Sequence, residues 1–355
     1  MGKVTFQHRS TAFYDDLKKS VEEYFRTQKI ESTGNRQLYI KLFVLITAAI
    51  GIYTFLVFFN TNIIAGILGS GLFGFTLACI GFNVMHDACH GSYSSKKWVN
   101  ETLGLSLNAM GGNAYIWKQK HNVIHHTYTN IDGIDDDIAK MPFIRQAPTQ
   151  SRLGMHKYQH FYSVFLYSLS SVMWVFMFDF IKYFKSGVQK MSFKKMDTKE
   201  HLIFWISKIF YFIFYIILPV YILGWQYWLV GFMTMHAIMG LTLAMVFQLA
   251  HVVEITDFED GKTEHLSIEN EWAIHQVLTT ADFATENKIV SWFLGGLNFQ
   301  VEHHLFPKVS HVHYPNISRI LKAHCEKYKV RYNTFPTMTD AIFSHFRFMK
   351  QLGKA

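Results

Sequence analysis

Cysteine is nearly missing from this 355-residue chain, which holds only Cys79, Cys89 and Cys325. They form no CxxC pair and no plausible disulfide framework, so a disulfide-stapled scaffold is excluded. Proline is scarce as well, six in all, and charged residues make up 17%, which together argue against disorder. No Pro-, Ser- or Gly-rich linker and no internal repeat divides the sequence, so it reads as a single domain, 1–355. No basic-then-apolar stretch opens it, and no cleavable signal peptide is expected. What the chain does have is apolar mass: half of it is hydrophobic, with 33 Phe, 18 Tyr and 8 Trp. The net charge of +8 would suit nucleic acid or an anionic membrane surface. The apolar content decides for a membrane, and no nucleic-acid partner is expected.

Four stretches are long and apolar enough to cross a bilayer as helices, about 20 residues each: 39–59, 63–85, 202–223 and 227–250. The turns 60–62 and 224–226 join them into two hairpins. Gly66, Ser70, Gly74 and Ala78 form a small-residue stripe that lets another helix backbone approach. A fifth apolar stretch, 161–184, is broken by Ser163, Ser168, Ser170, Ser171 and Asp179.

Histidine carries the chemistry. His121, His125 and His126 fall within one short, charged segment that reads as wet rather than as a core helix. On an α-helix, His121 and His125 share a face and His126 points about 100° away, so the imidazoles aim at two neighbouring points. His86 and His90 are again one helical turn apart, with Asp87 between them as a candidate to hydrogen-bond a ring N–H. His251 ends the fourth span. Gln300, His303 and His304 share a helix face further on. Each motif alone could be a run of surface or interfacial polar residues. His236, mid-span and alone, reads as hydrogen-bonded packing, and His311, His313, His324 and His345 as ordinary surface or packing residues.

Topology joins the motifs. Neither hairpin turn carries Lys or Arg, whereas 1–38, 86–160, 185–201 and 251–355 carry several. The positive-inside rule puts those four segments, both termini and every histidine motif in the cytoplasm. A full crossing by 161–184 would separate His251 from His86, so that stretch is expected to lie along the interface or to dip in and out. The fold expected is an all-α integral membrane protein, four transmembrane helices in two hairpins beneath a cytoplasmic helical cap. Eight same-side histidines exceed the four ligands of a structural zinc site and suggest two ions, though imidazole suits Fe, Cu and Zn alike.

HDACH, HNVIHH and QVEHH, in this order around paired spans, resemble the three histidine boxes of the membrane fatty-acid desaturases. The resemblance covers roughly residues 40–310. It implies a non-haem centre of two iron ions that uses dioxygen and two electrons to remove two hydrogens from a long acyl chain. It implies a ligand role for His86, His90, His121, His125, His126, His251, His303 and His304. Many relatives begin the third box with His; Gln300 here is similar to the front-end desaturases, which insert a double bond on the carboxyl side of an existing one. Gln300 offers a weaker oxygen ligand or a hydrogen bond. The chain has no His-Pro-Gly-Gly segment of a fused haem domain, which implies a separate electron donor, a ferredoxin or a small cytochrome with its reductase. Asp87, Asp135, Asp136, Asp137, Gln248 and His275 are candidates to orient ligands. Trp117, Lys118 and Lys120 are candidates for the substrate head group, with membrane lipid as the surroundings.

Other readings share parts of the pattern. A hydroxylase or ketolase of the same iron superfamily would carry similar boxes and differ in product. A membrane haem electron carrier needs facing histidine pairs at membrane depth, where only His236 lies. A transporter would need helices broken at the midplane.

Overall fold

The computed structural model describes residues 3–6, 12–138, 142–262 and 265–354, so parts of the segments expected to be cytoplasmic lie outside it. Helix α1, Phe13–Gln28, buries Phe13, Leu17 and Val21 along one stripe. Five helices are long and apolar enough to cross a membrane: α2 (Arg36–Phe59), α3 (Ile63–His90), α4 (Gly154–Lys185), α5 (Thr198–Leu223) and α6 (Trp225–His251). Asn35 starts α2, its side chain accepting the Gln37 and Leu38 N–H groups. Asn62 does the same for α3 and Asp197 for α5, each satisfying donors that a helix start leaves free. Gly224, at φ +81°, ends α5. Short polar helices over the metal-side ends complete the fold: α7 (Trp272–Thr279), α8 (Gln300–Leu305), α9 (Tyr314–Tyr328) and α10 (Met338–Lys354). The described strands pair only in twos, as in Lys3–Phe6 alongside His265–Ile268.

The small-residue stripe of α3 faces α6. A Cβ on Gly74 would lie 2.2 Å from the Met235 carbonyl oxygen, so the two backbones touch there. On the other side of α6, a Cβ on Gly240 would lie 2.8 Å from the Ser168 carbonyl oxygen of α4. α6 is thus the central helix, gripped from both sides through glycines.

The sequence counts four segments of spanning length; the structure has five such helices. The serines that interrupt 161–184 do not break the helix: Ser168 Oγ donates to the Val164 carbonyl of its own helix (3.0 Å), and others turn inward. Ser163 and Ser171 are buried, Ser170 Oγ donates to the Gly240 carbonyl (3.0 Å), and Ser171 Oγ donates to the His236 carbonyl (2.8 Å). The two ends of α4 both meet the layer that carries the histidine motifs. Near its start, Gln159 Nε2 donates to the Met349 carbonyl (2.8 Å); near its end, Lys182 Nζ pairs with Asp136 (2.7 Å). Its middle reaches His236, about 22 Å along α6 from His251. A π-helical turn, Gly81–Met85, carries α3 past the expected end at residue 85 to His90.

Candidate metal centre

Four elements end at one place. His86 and His90 sit on the last turns of α3, and His251 is the last residue of α6. His121 and His125 lie in a π-helical turn, Gln119–His125, that continues a short helix (Ala114–Lys118) capped by Asn113. His303 and His304 belong to α8. The segment around His121, expected to be wet, is instead buried. His121, His125 and His126 are 2%, 1% and 5% exposed, because α7 and α8 cover them. The π turn also changes the spacing: the His126 N–H bonds the His121 carbonyl, so His121 and His126 are brought ring to ring, Nε2 to Nε2 at 3.2 Å.

The rings gather in two groups. One nitrogen from each of His86, His90, His121 and His303 falls within 4.8 Å of the others, and one from each of His125, His251 and His304 does likewise. Adjacent His303 and His304 fall in different groups; His121 and His125 do so too, and with Asp137 they also form a third set within the same distance. His126 stands between the groups, its ring centre 4.6 Å from that of His303 and 4.4 Å from that of His304. The Nε2 atoms of His86, His90, His125, His251, His303 and His304, and Nδ1 of His126, are buried with no hydrogen-bond partner. Buried polar atoms are rarely left so. All-nitrogen sets of this kind suit a first-row transition metal, and the residues fit two ions, four imidazoles at one and three at the other with His126 between them.

The opposite ring nitrogens are held. His125 Nδ1 donates to the Asp135 carboxylate (3.0 Å), His303 Nδ1 meets the Tyr314 hydroxyl (3.1 Å), and His304 Nδ1 donates to Gln276 Oε1 (2.8 Å). The acceptors Asp135 and Gln276 Oε1 fix the tautomers that leave Nε2 of His125 and His304 free for a metal, and the Tyr314 hydroxyl orients the His303 ring. Burial, reinforced by the neighbouring imidazoles, holds His121, His126, His303 and His304 well below the ordinary imidazole range, so they stay neutral, the form that binds metal. Burial pulls His125 the same way, but the Asp135 carboxylate outweighs it and the net shift is upward.

Several orienting residues have other partners. Asp87 accepts Ser310 Oγ (2.7 Å) and His311 Nδ1 (3.0 Å) and stays 4.0 Å from His86 Nδ1. His311, expected to be ordinary, is the buried partner that ties Asp87 to Lys41. Asp136 pairs with Lys182, and Asp137 with Lys120 (2.7 Å) while lying 3.6 Å from His125 Nδ1. Gln248 accepts from Gln146, and His275 Nε2 donates to the Thr129 carbonyl (2.9 Å). Gln300 is buried with its amide nitrogen unpartnered. Gln276, Thr129 and Tyr314 were not visible as site residues; Gln276 had only the signal of adjoining His275. His236, read as packing, has both ring nitrogens occupied, by Ser171 Oγ (2.8 Å) and the Tyr211 hydroxyl (2.7 Å).

A cavity of about 360 Å³ opens beside the first histidine group, between α4 and α6. Lys120, Lys182, Gln146 and Gln248 are among its polar lining residues, and the rest is mainly Phe, Leu, Ile and Trp side chains. A second, narrow and apolar cavity of about 40 Å³, lined by His86, Leu77 and Met110, adjoins it, the two sharing Trp117, Trp174, Leu243 and Phe247 in their linings. Trp117, expected at a head group, is buried and stacks on His121 at 4.3 Å. Lys120 lines the cavity, and Lys118 is half-buried outside it. A separate cleft of about 490 Å³ lies between the hairpin turns, ringed by Asn60, Asn62 and Gln226, with no histidine in its lining.

Residues 61–336 match the family model "Fatty acid desaturase". An sn-1 linoleoyl-lipid 6-desaturase of Arthrospira platensis is 36% identical, the match covering 99% of this chain and 95% of that protein. A second sn-1 linoleoyl-lipid 6-desaturase, from Synechocystis sp., is 34% identical over 96% of this chain and 95% of its own length. An acyl-lipid (8-3)-desaturase of Physcomitrium patens is also 34% identical, over 96% of this chain and 72% of its own length.

Proposed function

The chain belongs to the fatty acid desaturase family and is an oxidoreductase acting on acyl chains in a membrane; on that premise we propose that it is a front-end acyl-lipid desaturase with two non-haem irons. The observation that carries the two-metal reading is the pair of histidine groups, each presenting unpartnered buried nitrogens, beside a mainly apolar cavity. Iron bound at such a pair supplies, with dioxygen and two electrons, the chemistry that removes two hydrogens from unactivated methylenes. The ligands are His86, His90, His121 and His303 for one ion and His125, His251 and His304 for the other, with His126 between. Gln300 shares their helix and contributes an oxygen ligand or a hydrogen bond.

What the protein's own residues do follows from their placement. The cavity holds the acyl chain extended against Trp117 and His121, excluding water and limiting which methylenes face the metals; positioning of this kind is worth several kcal/mol. Lys120 and Lys182, each paired with a carboxylate, face the ester or head-group end. Asp135, Gln276 and Tyr314 hold the imidazoles. The acyl-lipid substrate and the carboxyl-side position of the new double bond are supported by the names of the relatives and by Gln300.

Electrons come from a separate donor, a ferredoxin or a small cytochrome with its reductase. α2, α3, α5 and α6 cross the membrane, with the histidine face and both termini cytoplasmic. α4 stays on that side, a reading supported by its two ends both meeting the histidine layer. The Lys- and Arg-free turns 60–62 and 224–226 lie opposite.

Hydroxylation is the competing outcome of such a site. The test is to express the protein with a compatible reductase and carrier, feed saturated and unsaturated chains, and identify the lipids by mass spectrometry. Loss of two hydrogens from already unsaturated chains, on the carboxyl side of their double bond, is expected. Gain of one oxygen atom as the main outcome would overturn the reading.

A further inference from the structure

Beside the cavity stands a buried ion pair that the metal centre does not use. Lys208 Nζ meets Asp179 Oδ2 at 3.0 Å; both side chains are almost fully enclosed, and Asp179 lines the cavity. Charges so enclosed are costly to bury. Lys208 also donates to the backbone carbonyls of Gly111 (2.6 Å) and Val175 (3.1 Å), so its position is fully determined. The other oxygen of Asp179 accepts the indole N–H of Trp174 at 2.9 Å. Trp174 opens the π-helical turn Trp174–Phe178 of α4, a distortion that often accompanies functional sites.

The ring so held occupies a particular place. Trp174, Trp117, Leu243 and Phe247 line both the wide cavity and the adjoining narrow one, so any passage between the two runs through a neck of these four side chains. His121 lies on the wide side of that neck and His86 on the narrow side. An acyl chain that passes the metals therefore passes Trp174. Opposite the indole, Gly112 leaves room: a Cβ there would come within 3.5 Å of the Trp174 ring and 2.7 Å of Leu107.

We propose that Trp174 is a specificity-determining residue, a gate whose bulk limits how much of the acyl chain extends beyond the metals, and that Asp179 and Lys208 are the positioning residues that hold it in the neck. The proposal rests on the acyl-chain reading of the cavity. A rigid indole there sets which methylenes stop beside the histidines, and so chain-length preference and double-bond position. The ion pair keeps the ring from swinging into the space beyond Gly112.

The test reads the pattern of products, which a merely structural role would not move. Trp174→Ala, expressed with donor and reductase and fed chains of graded length, should shift the preferred length upward by at least two carbons, with metal content unchanged. Trp174→Phe, which keeps most of the bulk and loses the N–H, should give a smaller shift. Gly112→Ala narrows the same neck and should shift the preference toward shorter chains, an independent reading should Trp174→Ala accumulate poorly. For the positioning pair, the charge-free double variant Asp179→Asn with Lys208→Met should broaden the length distribution at unchanged metal content. Unaltered length and position patterns in Trp174→Ala, or in Gly112→Ala, at wild-type abundance would overturn the gate. Preference is read from whichever oxidised lipid forms. An alcohol in place of an olefin would therefore contradict the proposed reaction while the gate is still judged by the same shift.

Discussion

Replacing Gln276 by leucine should weaken one metal position and spare the other. Gln276 Oε1 accepts the His304 Nδ1–H at 2.8 Å and the Thr129 hydroxyl at 2.8 Å, while its own amide nitrogen has no partner. Leucine therefore removes one acceptor and little else. His304 is fully buried, so its N–H is left with only Thr129 Oγ, at 3.2 Å, and Thr129 already has the His125 carbonyl as an acceptor at 2.7 Å. A buried donor left without a good partner costs about 1–3 kcal/mol. Loss of the contact that orients a ligand imidazole typically lowers metal affinity about 10- to 100-fold, or about 1.4–2.8 kcal/mol, so the two estimates agree. Because Thr129 can take part of the load, the single variant should lie near the tenfold end. Gln276→Leu with Thr129→Val should approach a hundredfold. The assay is metal release against a graded chelator, followed by elemental analysis. The ion at His125, His251 and His304 should leave first, while the ion at His86, His90, His121 and His303 keeps its wild-type profile. A double variant that releases both ions as the wild type does would refute the reasoning.

Further outcomes follow from the same geometry. His251→Ala and His303→Ala should each abolish turnover while the protein still inserts in the membrane, and Gln300→Ala should be milder; retained activity in His251→Ala, measured in membranes, would remove that residue from the centre. Acidification should strip the metal: His121, His126, His303 and His304 are depressed in the fold relative to an unfolded value of about 6.5, so the stability they contribute is present above that pH and fails as pH falls below it. His125, shifted upward, acts in the opposite sense but is one against four. Metal content and thermal stability measured from pH 8 to pH 5 (a range of about three units around that value) would show the loss, and a flat profile would contradict it. Single cysteines at residues 61 and 225 in a Cys-free background should label from the side opposite the histidines, and one at 190 from the histidine side; labelling of 190 together with 61 would make α4 a full crossing.

Much of the centre was legible because its chemistry is written at helical spacing. His86 with His90, and His303 with His304, needed only a helix to reach the two groups. The split of neighbours between two groups was partly legible, since adjacent helical residues point about 100° apart. The π turn at Gln119–His125 was not: it depends on how α7 and α8 pack over the segment, and the same packing buries what charge alone makes look wet. Asp87 was flagged beside His86, yet its partner is His311, more than two hundred residues away in sequence, and no local spacing records such a contact. Gln276 was hidden for the same reason. For α4, serines break the apolar pattern without breaking the helix; Ser170 and Ser171 give their hydroxyls to carbonyls of α6, a tertiary contact that sequence pattern does not record.

The central claim, two irons held by histidine beside an acyl cavity, is tested most directly by counting metal. Elemental analysis of the purified full-length protein, with activity measured before and after incubation with ferrous iron, should give two irons per chain in the active form and a rise in activity that follows iron uptake. One zinc per chain, with desaturation that neither needs nor responds to iron, would contradict it.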